Sequence, residues 1–484
     1  MGVLDFYRSA ASAYKRLKSL NAFILERYRE CEAEVLMSQE RRENGKLLGT
    51  VDGKLYAVKD NLCTRSITTT SGSRFLKDYI PPFNATVVDR LSHLGAVLIG
   101  KTNLDEFGMG SANLTSHFGP CKSHLSPPIY EHNKDDSVEG STDVWLVPGG
   151  SSGGSAVAVA TGMCDFALGT DTGGSVRLPA SFCGIVGLKP SYGRVSRYGL
   201  IPLASSLDTV GILSTSVDTC ATVLDVIAGW DEKDSSTFQV PYHSCSHSVQ
   251  SISSSSKVLN GKRFGIPKEF LTDDLNPDYI KLIDTVASFI KDRGGNVCTV
   301  SLPHTKSATP SYNILCAAEV SSNMAKFTGL PFGYCYSNEA KSCDELFAEN
   351  RMEGLGPVVQ HRIIAGTYFL TYRGRTYYDR ALRVRRLIVE DFHRIFSDVD
   401  VLLTPTTISK APLNTEIKRL GPVESCVYDQ LTVPVSLAGL PAISLPLGVS
   451  HDGLPLGIQL VCNRFQEETL LRTAKSLEIS CYLL

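Results

Sequence analysis

The chain of 484 residues has 43% hydrophobic residues and a formal net charge of −2, enough to bury a large core but without the broad basic field that nucleic-acid binding on its own surface needs. Fourteen cysteines occur with no Cys-x-x-Cys pair, which fits reduced thiols and argues against a disulfide scaffold or zinc site. The longest uncharged stretch, 431–450, contains Pro434, Pro441 and Pro446, so no membrane span is predicted.

The first twenty residues carry Arg8, Lys15, Arg16 and Lys18 against Asp5 alone, a charge balance loosely like a mitochondrial presequence. Residues 8–40 are predicted helical, ending near Asn44-Gly45. Leu55-Tyr56-Ala57-Val58 reads as a short buried strand that delivers Lys59-Asp60-Asn61 at its end. Val87, Val88, Leu91 and Leu94 have helical spacing, Gly95 is a natural stop, and Val97-Leu98-Ile99 makes a further strand. Gly95 to Thr102 also fits G-x-x-x-x-G-K-T, the phosphate-binding loop. Its four middle residues, Ala-Val-Leu-Ile, are strand formers that want burial, so Lys101 is expected to be structural or at a pocket edge. Residues 121–145 form a polar insertion with Pro127-Pro128 and Asp135-Asp136, expected as a surface loop.

Residues 148–190 read PGGSSGGSAVAVATGMCDFALGTDTGGSVRLPASFCGIVGLKP. A Gly/Ser linker would not run straight into an apolar helix-compatible segment, Ala156 to Ala160, and then a strand at Phe166-Ala167-Leu168. What the residues predict is a glycine turn at a helix start, a strand, and a second turn at Thr172-Gly173-Gly174-Ser175. Glycines there let bare backbone approach a ligand, so N–H groups can converge on a developing oxyanion. Cys183 is read as a small buried residue.

Further on, 244–256 is Ser-rich and expected as a mobile loop. Residues 262–266 and 297–302 read as strands flanking a helix at 278–293. Residues 312–395 are mainly helical, 399–406 is a strand leading into a turn, and 433–446 with 457–461 supply the last strands. No internal repeat is visible.

The order GGSSGG(S), Gly-x-Asp-x-Gly-Gly-Ser-x-Arg-x-Pro-(A/S) and Cys-Gly-(I/V)-x-Gly-x-Lys-Pro resembles the amidase signature family, with all three parts in register. The resemblance starts near Ser9, in what is normally the family's second helix, and implies that a preceding helix is missing. It implies one α/β domain over 1–484, a large mixed central sheet covered by helices on both faces. Hydrolysis of an unactivated amide needs a nucleophile, a base and oxyanion donors. No histidine lies near either serine turn, and His117 is read as a surface or packing residue. The family uses a Ser-Ser-Lys relay, which carries over as Ser175 for the nucleophile, Ser151 on a cis peptide for the bridge and Lys59 for the base. It implies an oxyanion hole at Thr172, Gly173 and Gly174 with the Ser175 amide, and a pocket wall at Gly110 and Ser111. Ser152 and Ser155 are expected to cap a helix. Asp171 and Arg177 are expected to form a structural ion pair.

The segments SYGRVSRYGLIPLASS, HRIIAGT and DQLTVPVSLAG are similar to the branch of this family that serves as glutaminase in tRNA amidotransferases. Free glutamine offers an α-carboxylate and an α-ammonium, so its pocket needs a cation and an opposing carboxylate. The resemblance puts Arg362 and Asp429 in those roles. It implies the B and C subunits of a heterotrimer as partners, ATP and magnesium used by the partner, no cofactor or metal on this chain, and conversion of Glu-tRNA(Gln) to Gln-tRNA(Gln) in the mitochondrial matrix, with the cytoplasm as the alternative compartment. The alternatives left standing are a free-standing amidase acting on another small amide, a non-catalytic assembly component, and a nucleotide binder at Lys101.

Overall fold

A computed structural model describes residues 2–126, 144–253, 256–336, 340, 342–420 and 424–481. Most of the expected insertion at 121–145, and residues 254–255 of the Ser-rich run, lie outside them. The strands are β1 Phe23–Glu26, β2 Leu55–Lys59, β3 Val97–Thr102, β4 Phe166–Asp171, β5 Val186–Lys189, β6 Thr209–Ser214, β7 Arg263–Pro267, β8 Asn296–Val300, β9 Val401–Pro405, β10 Ala442–Val449 and β11 Pro455–Cys462. They form one 11-stranded mixed sheet in the order β1-β3-β2-β4-β6-β5-β10-β11-β9-β7-β8.

Side chains alternate across the sheet with the period of two that extended backbone imposes. In β2, Tyr56 and Val58 enter one core cluster while Leu55 and Ala57 enter the other. In β4, Phe166 and Leu168 join the first and Ala167 the second. Both faces are therefore apolar, and helices cover them.

The first helices are α1 Val3–Arg16, α2 Glu32–Glu43, α3 Thr86–His93, α4 Gly153–Ala160 and α5 Arg177–Cys183. The continuous helix predicted over 8–40 is wrong. Asn21 adopts a left-handed φ of 55°, and the chain then runs as β1 antiparallel to β3, with Phe23 opposite Thr102. Gly95 ends α3 with φ 82°, and 97–102 is buried strand, so the phosphate-loop pattern has no loop to form. Lys101 is fully buried and donates to the Leu62 carbonyl, Thr69 Oγ1 and Asp60. It is structural, as its apolar neighbours imply.

The next are α6 Val217–Ile227, α7 Ser246–Gln250, α8 Pro277–Asp292, α9 Ala308–Asn323, α10 Cys343–Gly354, α11 Pro357–Leu370, α12 Arg375–Asp398, α13 Asn414–Arg419, α14 Val433–Leu437 and α15 Glu467–Cys481. Two of these correct sequence expectations. The first part of the Ser-rich run forms α7, because Asp225 accepts from Ser244 Oγ and the amides of Cys245 and Ser246 while Val249 is buried. Residues 433–437 are a short helix, with Pro434 in its first turn where a missing N–H costs nothing.

β2 lies parallel to both β3 and β4. Parallel neighbours bring their C-terminal ends to one edge of the sheet. Lys59, at the end of β2, therefore stands beside the turn that follows Asp171 at the end of β4.

Candidate active site

Lys59 continues the β2 alternation on the face covered by α4, and the turn before α4 meets it there. The Gly150–Ser151 peptide is cis. Lys59 Nζ lies 2.7 Å from Ser151 Oγ and 2.9 Å from Ser152 Oγ, with the Thr170 carbonyl oxygen at 3.4 Å. Lys59 and Ser152 are fully buried and Ser151 nearly so. Burial pushes the Lys59 ammonium down to about 7, and the more distant carboxylates of Asp105, Asp171 and Asp208 offset only part of that.

The two serine turns are joined backbone to backbone: the Ser152 amide donates to the Ser175 carbonyl oxygen at 3.2 Å. Ser152 does more than sequence reasoning expected. Its hydroxyl makes no cap to α4 and contacts Lys59 and the Thr170 backbone instead. Ser155 likewise does not cap. It sits inside α4 and bonds Thr102 Oγ1 at 2.6 Å.

The turn 172–175 is held from beneath. Asp171 and Arg177 form a fully buried ion pair at 2.9 Å, as expected. Burial alone would raise the Asp171 carboxyl, but Arg177 holds it below the ordinary value. Arg177 also donates to the Thr432 carbonyl, Gln459 Oε1 and Ser436 Oγ. From the other side Thr432 Oγ1 donates to the Gly173 carbonyl oxygen at 2.6 Å. Among the described residues, the N–H groups of Thr172, Gly173, Gly174 and Ser175 donate to no protein acceptor. Gly174 has φ 152°, and a Cβ there would come within 2.2 Å of Thr432 Oγ1, so only glycine fits.

A narrow cavity opens over this turn. Gly110, Ser111, Gly173, Ser175, Arg362 and Asp429 line it together, so the structure brings these sequence-predicted residues to one place. Gly174, behind them, packs on Asp429. Lys59 and Ser151 lie just outside this lining, with Ser151 Oγ against Gly108. Ser111 Oγ donates to Asp429 Oδ2, while Asp429 Oδ1 is buried with no partner among the described residues. Burial pushes that carboxyl up to about 7. Arg362, on α11, directs Nη1 toward Cys316 Sγ at 3.6 Å.

Sequence reasoning missed Gly108, Thr309, Tyr312 and Val433, which also line the cavity. Tyr312 packs its ring and hydroxyl against Gly173, and burial holds its hydroxyl well above the usual range. Nothing in a helical SYNIL segment marks such a tyrosine, whereas Ser152 could have been found as the second serine of the turn. His117 packs edge-on against Phe118, and its amide donates to the Gly72 carbonyl oxygen. No group of three or more histidine, cysteine or acidic side chains among the described residues is arranged to hold a metal.

Residues 3–471 match the family model described as Amidase. The chain is 44% identical over 466 residues to the A subunit of the mitochondrial glutamyl-tRNA(Gln) amidotransferase from Aedes aegypti, covering 96% of this chain and 91% of that one. It is 46% identical over 473 residues to the protein of the same name from Bos taurus, covering 96% and 89%. Among solved structures, the A subunit of the Thermotoga maritima glutamyl-tRNA(Gln) amidotransferase superposes with a TM-score of 0.75 at 32% identity, covering 99% of this chain and 94% of that one. The peptide amidase of Stenotrophomonas maltophilia gives 0.80 at 26% identity, covering 100% and 94%.

Proposed function

The chain belongs to the amidase family, and from that premise we propose that it is the glutaminase component of a mitochondrial glutamyl-tRNA(Gln) amidotransferase. The observation that carries the chemistry is the buried Lys59 amine, 2.7 Å from the hydroxyl of a serine whose turn is bonded to the turn bearing Ser175. An amine lowered to about 7 is available as a base near neutral pH. The nucleophile in this reading is the hydroxyl of Ser175, which lines the cavity.

In the proposed reaction Ser175 Oγ attacks the side-chain amide carbon of glutamine. Its proton passes to Ser151 as the Ser151 proton passes to Lys59. The oxyanion is met by the free N–H groups of the 172–175 turn. The relay then runs backward, giving a proton to the departing nitrogen as the C–N bond breaks, so that ammonia leaves and a γ-glutamyl ester remains on Ser175. Water, activated by the same relay, attacks the ester, releasing glutamate and restoring the serine.

Arg362 and Asp429 supply the selection for an amino acid. The unpartnered Asp429 Oδ1 is a buried acceptor in need of a donor, which the α-ammonium of glutamine provides, and Arg362 takes the α-carboxylate. A free-standing amidase for a simple amide has no use for this pair. The continuity of one sheet through the chain supports reading it as a single domain. Ammonia is passed to the B partner, which activates Glu-tRNA(Gln) with ATP and magnesium, and the C partner completes the assembly. The test is glutaminase activity of the chain copurified with those two partners, against Ser175→Ala. Full activity in that variant would overturn the reading.

A further inference from the structure

Glu106 is a buried carboxylate that the relay does not use, and it stands where three separate segments meet. Its Oε1 accepts from Ser73 Oγ at 2.5 Å, and its Oε2 accepts from the Gly356 amide at 2.9 Å. Ser73 caps the short 3-10 helix Arg74–Leu76 by accepting from the Phe75 amide. Gly356 is the residue at which α11 begins. The carboxylate thus ties a loop near residue 106 to a helix 250 residues later in the chain.

The backbone around Glu106 is built to aim it. Phe107 takes a left-handed φ of 50° and Gly108 one of 77°. A phenylalanine in the left-handed region is strained and persists only where its surroundings hold it. It is held there by its amide on the Ser71 carbonyl and its ring against Phe327, 5.0 Å between centroids. The turn sends the Glu106 side chain toward α11 and brings Gly108 to Ser151 and Gly110-Ser111 to the cavity. Gly356 admits the contact, since a Cβ there would lie 2.2 Å from Glu106 Oε2.

We infer that Glu106 is a positioning residue for the amino-acid clamp: by pinning the first turn of α11 to the loop that carries Ser111, it sets the separation of Arg362 from Asp429. Arg362 lies in the second turn of α11, beyond the pinned Gly356 amide. The far half of that helix is fixed independently, with Gly366 packed directly on the Ala317 carbonyl of α9. The near half has Glu106. An acceptor at a helix start also satisfies an otherwise orphaned N–H. Asp429 is reached from the same loop through Ser111. Both arms of the clamp therefore refer to one carboxylate.

This rests on the reading of Arg362 and Asp429 as the glutamine clamp, so the experiment measures both. Glutaminase KM and kcat are determined for the copurified complex carrying wild type, Arg362→Ala, Glu106→Ala, Glu106→Gln and Glu106→Asp. Displacing an anchoring arginine by a fraction of an ångström should raise KM about tenfold in Glu106→Ala, with kcat within about twofold. Glu106→Gln should restore KM, because its amide oxygen still accepts from Gly356 while Ser73 turns its proton to the Gly354 carbonyl, already 3.4 Å away. If Glu106→Ala fails to fold, Glu106→Asp decides, since a carboxylate one methylene short should raise KM with kcat kept. A raised KM in Arg362→Ala with unchanged KM in the Glu106 variants would overturn this inference alone. An unchanged KM in Arg362→Ala would overturn the clamp reading, and this inference with it.

Discussion

Lys59 Nζ and Ser151 Oγ are 2.7 Å apart in a place water does not reach. Burial makes the charged amine costly, and the neutral amine can accept the serine's proton. The two facts are one, since what lowers the lysine is what lets it work.

The pH dependence of turnover follows from that. Lys59 falls from 10.5 to about 7, so the basic, neutral form is lost as pH drops through 7. With glutamine saturating, kcat should fall about tenfold per unit below roughly pH 7 and level off above it. Asp429 is raised to about 7 and must be ionised to take an ammonium. The acid limb of kcat/KM should therefore be steeper than that of kcat. Stopped-time assays of glutamate release from about pH 5.5 to 9, spanning the inflection, would check both slopes.

Replacing Lys59 by methionine should separate activity from stability. Loss of the base should cost about 10²–10⁴-fold in glutaminase rate. Because the folded lysine binds its proton more weakly than the unfolded one, its destabilising effect is complete below about pH 7 and is relieved as pH rises toward 10.5. Lys59→Met removes a buried amine of similar volume, so its melting temperature at pH 7 should equal or exceed that of wild type. Calorimetry alongside the assay tests this.

Breaking the ion pair beneath the 172–175 turn should behave in the opposite way. Asp171 and Arg177 are both fully buried, and Asp171→Ala leaves the guanidinium without its counter-charge. A loss of about 3–5 kcal/mol is expected by chemical denaturation. Activity should disappear with the turn it supports.

The clamp can be probed from its acidic side. Asp429→Asn keeps the shape and the bond to Ser111 but removes the charge facing the ammonium, so KM for glutamine should rise about 10–100-fold. A fall in kcat with no change in KM would place Asp429 elsewhere in the mechanism.

The two serine turns and the strand-end lysine were legible through their resemblance to the family's motifs, and the fold brings Lys59 to Ser151. The central strands were legible because they are short, apolar runs buried on both faces. β1 was not, since its Phe-Ile-Leu-Glu is only partly buried and helical neighbours on both sides suggested one long helix. The break lies in Asn21, whose left-handed turn has no stronger signature than a single asparagine. The helix at 433–437 was hidden by a Val-Pro-Val pattern that reads as strand. Tyr312 and Glu106 were invisible for another reason: each acts across the fold, against Gly173 and on the Gly356 amide respectively, and neither sequence neighbourhood points there.

The most direct test is to incubate the copurified complex with glutamine, quench with acid, digest, and search by mass spectrometry for a γ-glutamyl adduct. The account predicts an ester on the peptide containing Ser175, absent in Ser175→Ala and strongly reduced in Lys59→Met. An adduct on Ser151, Ser152 or Cys183 instead, or glutamine hydrolysis that persists in Ser175→Ala, would contradict it.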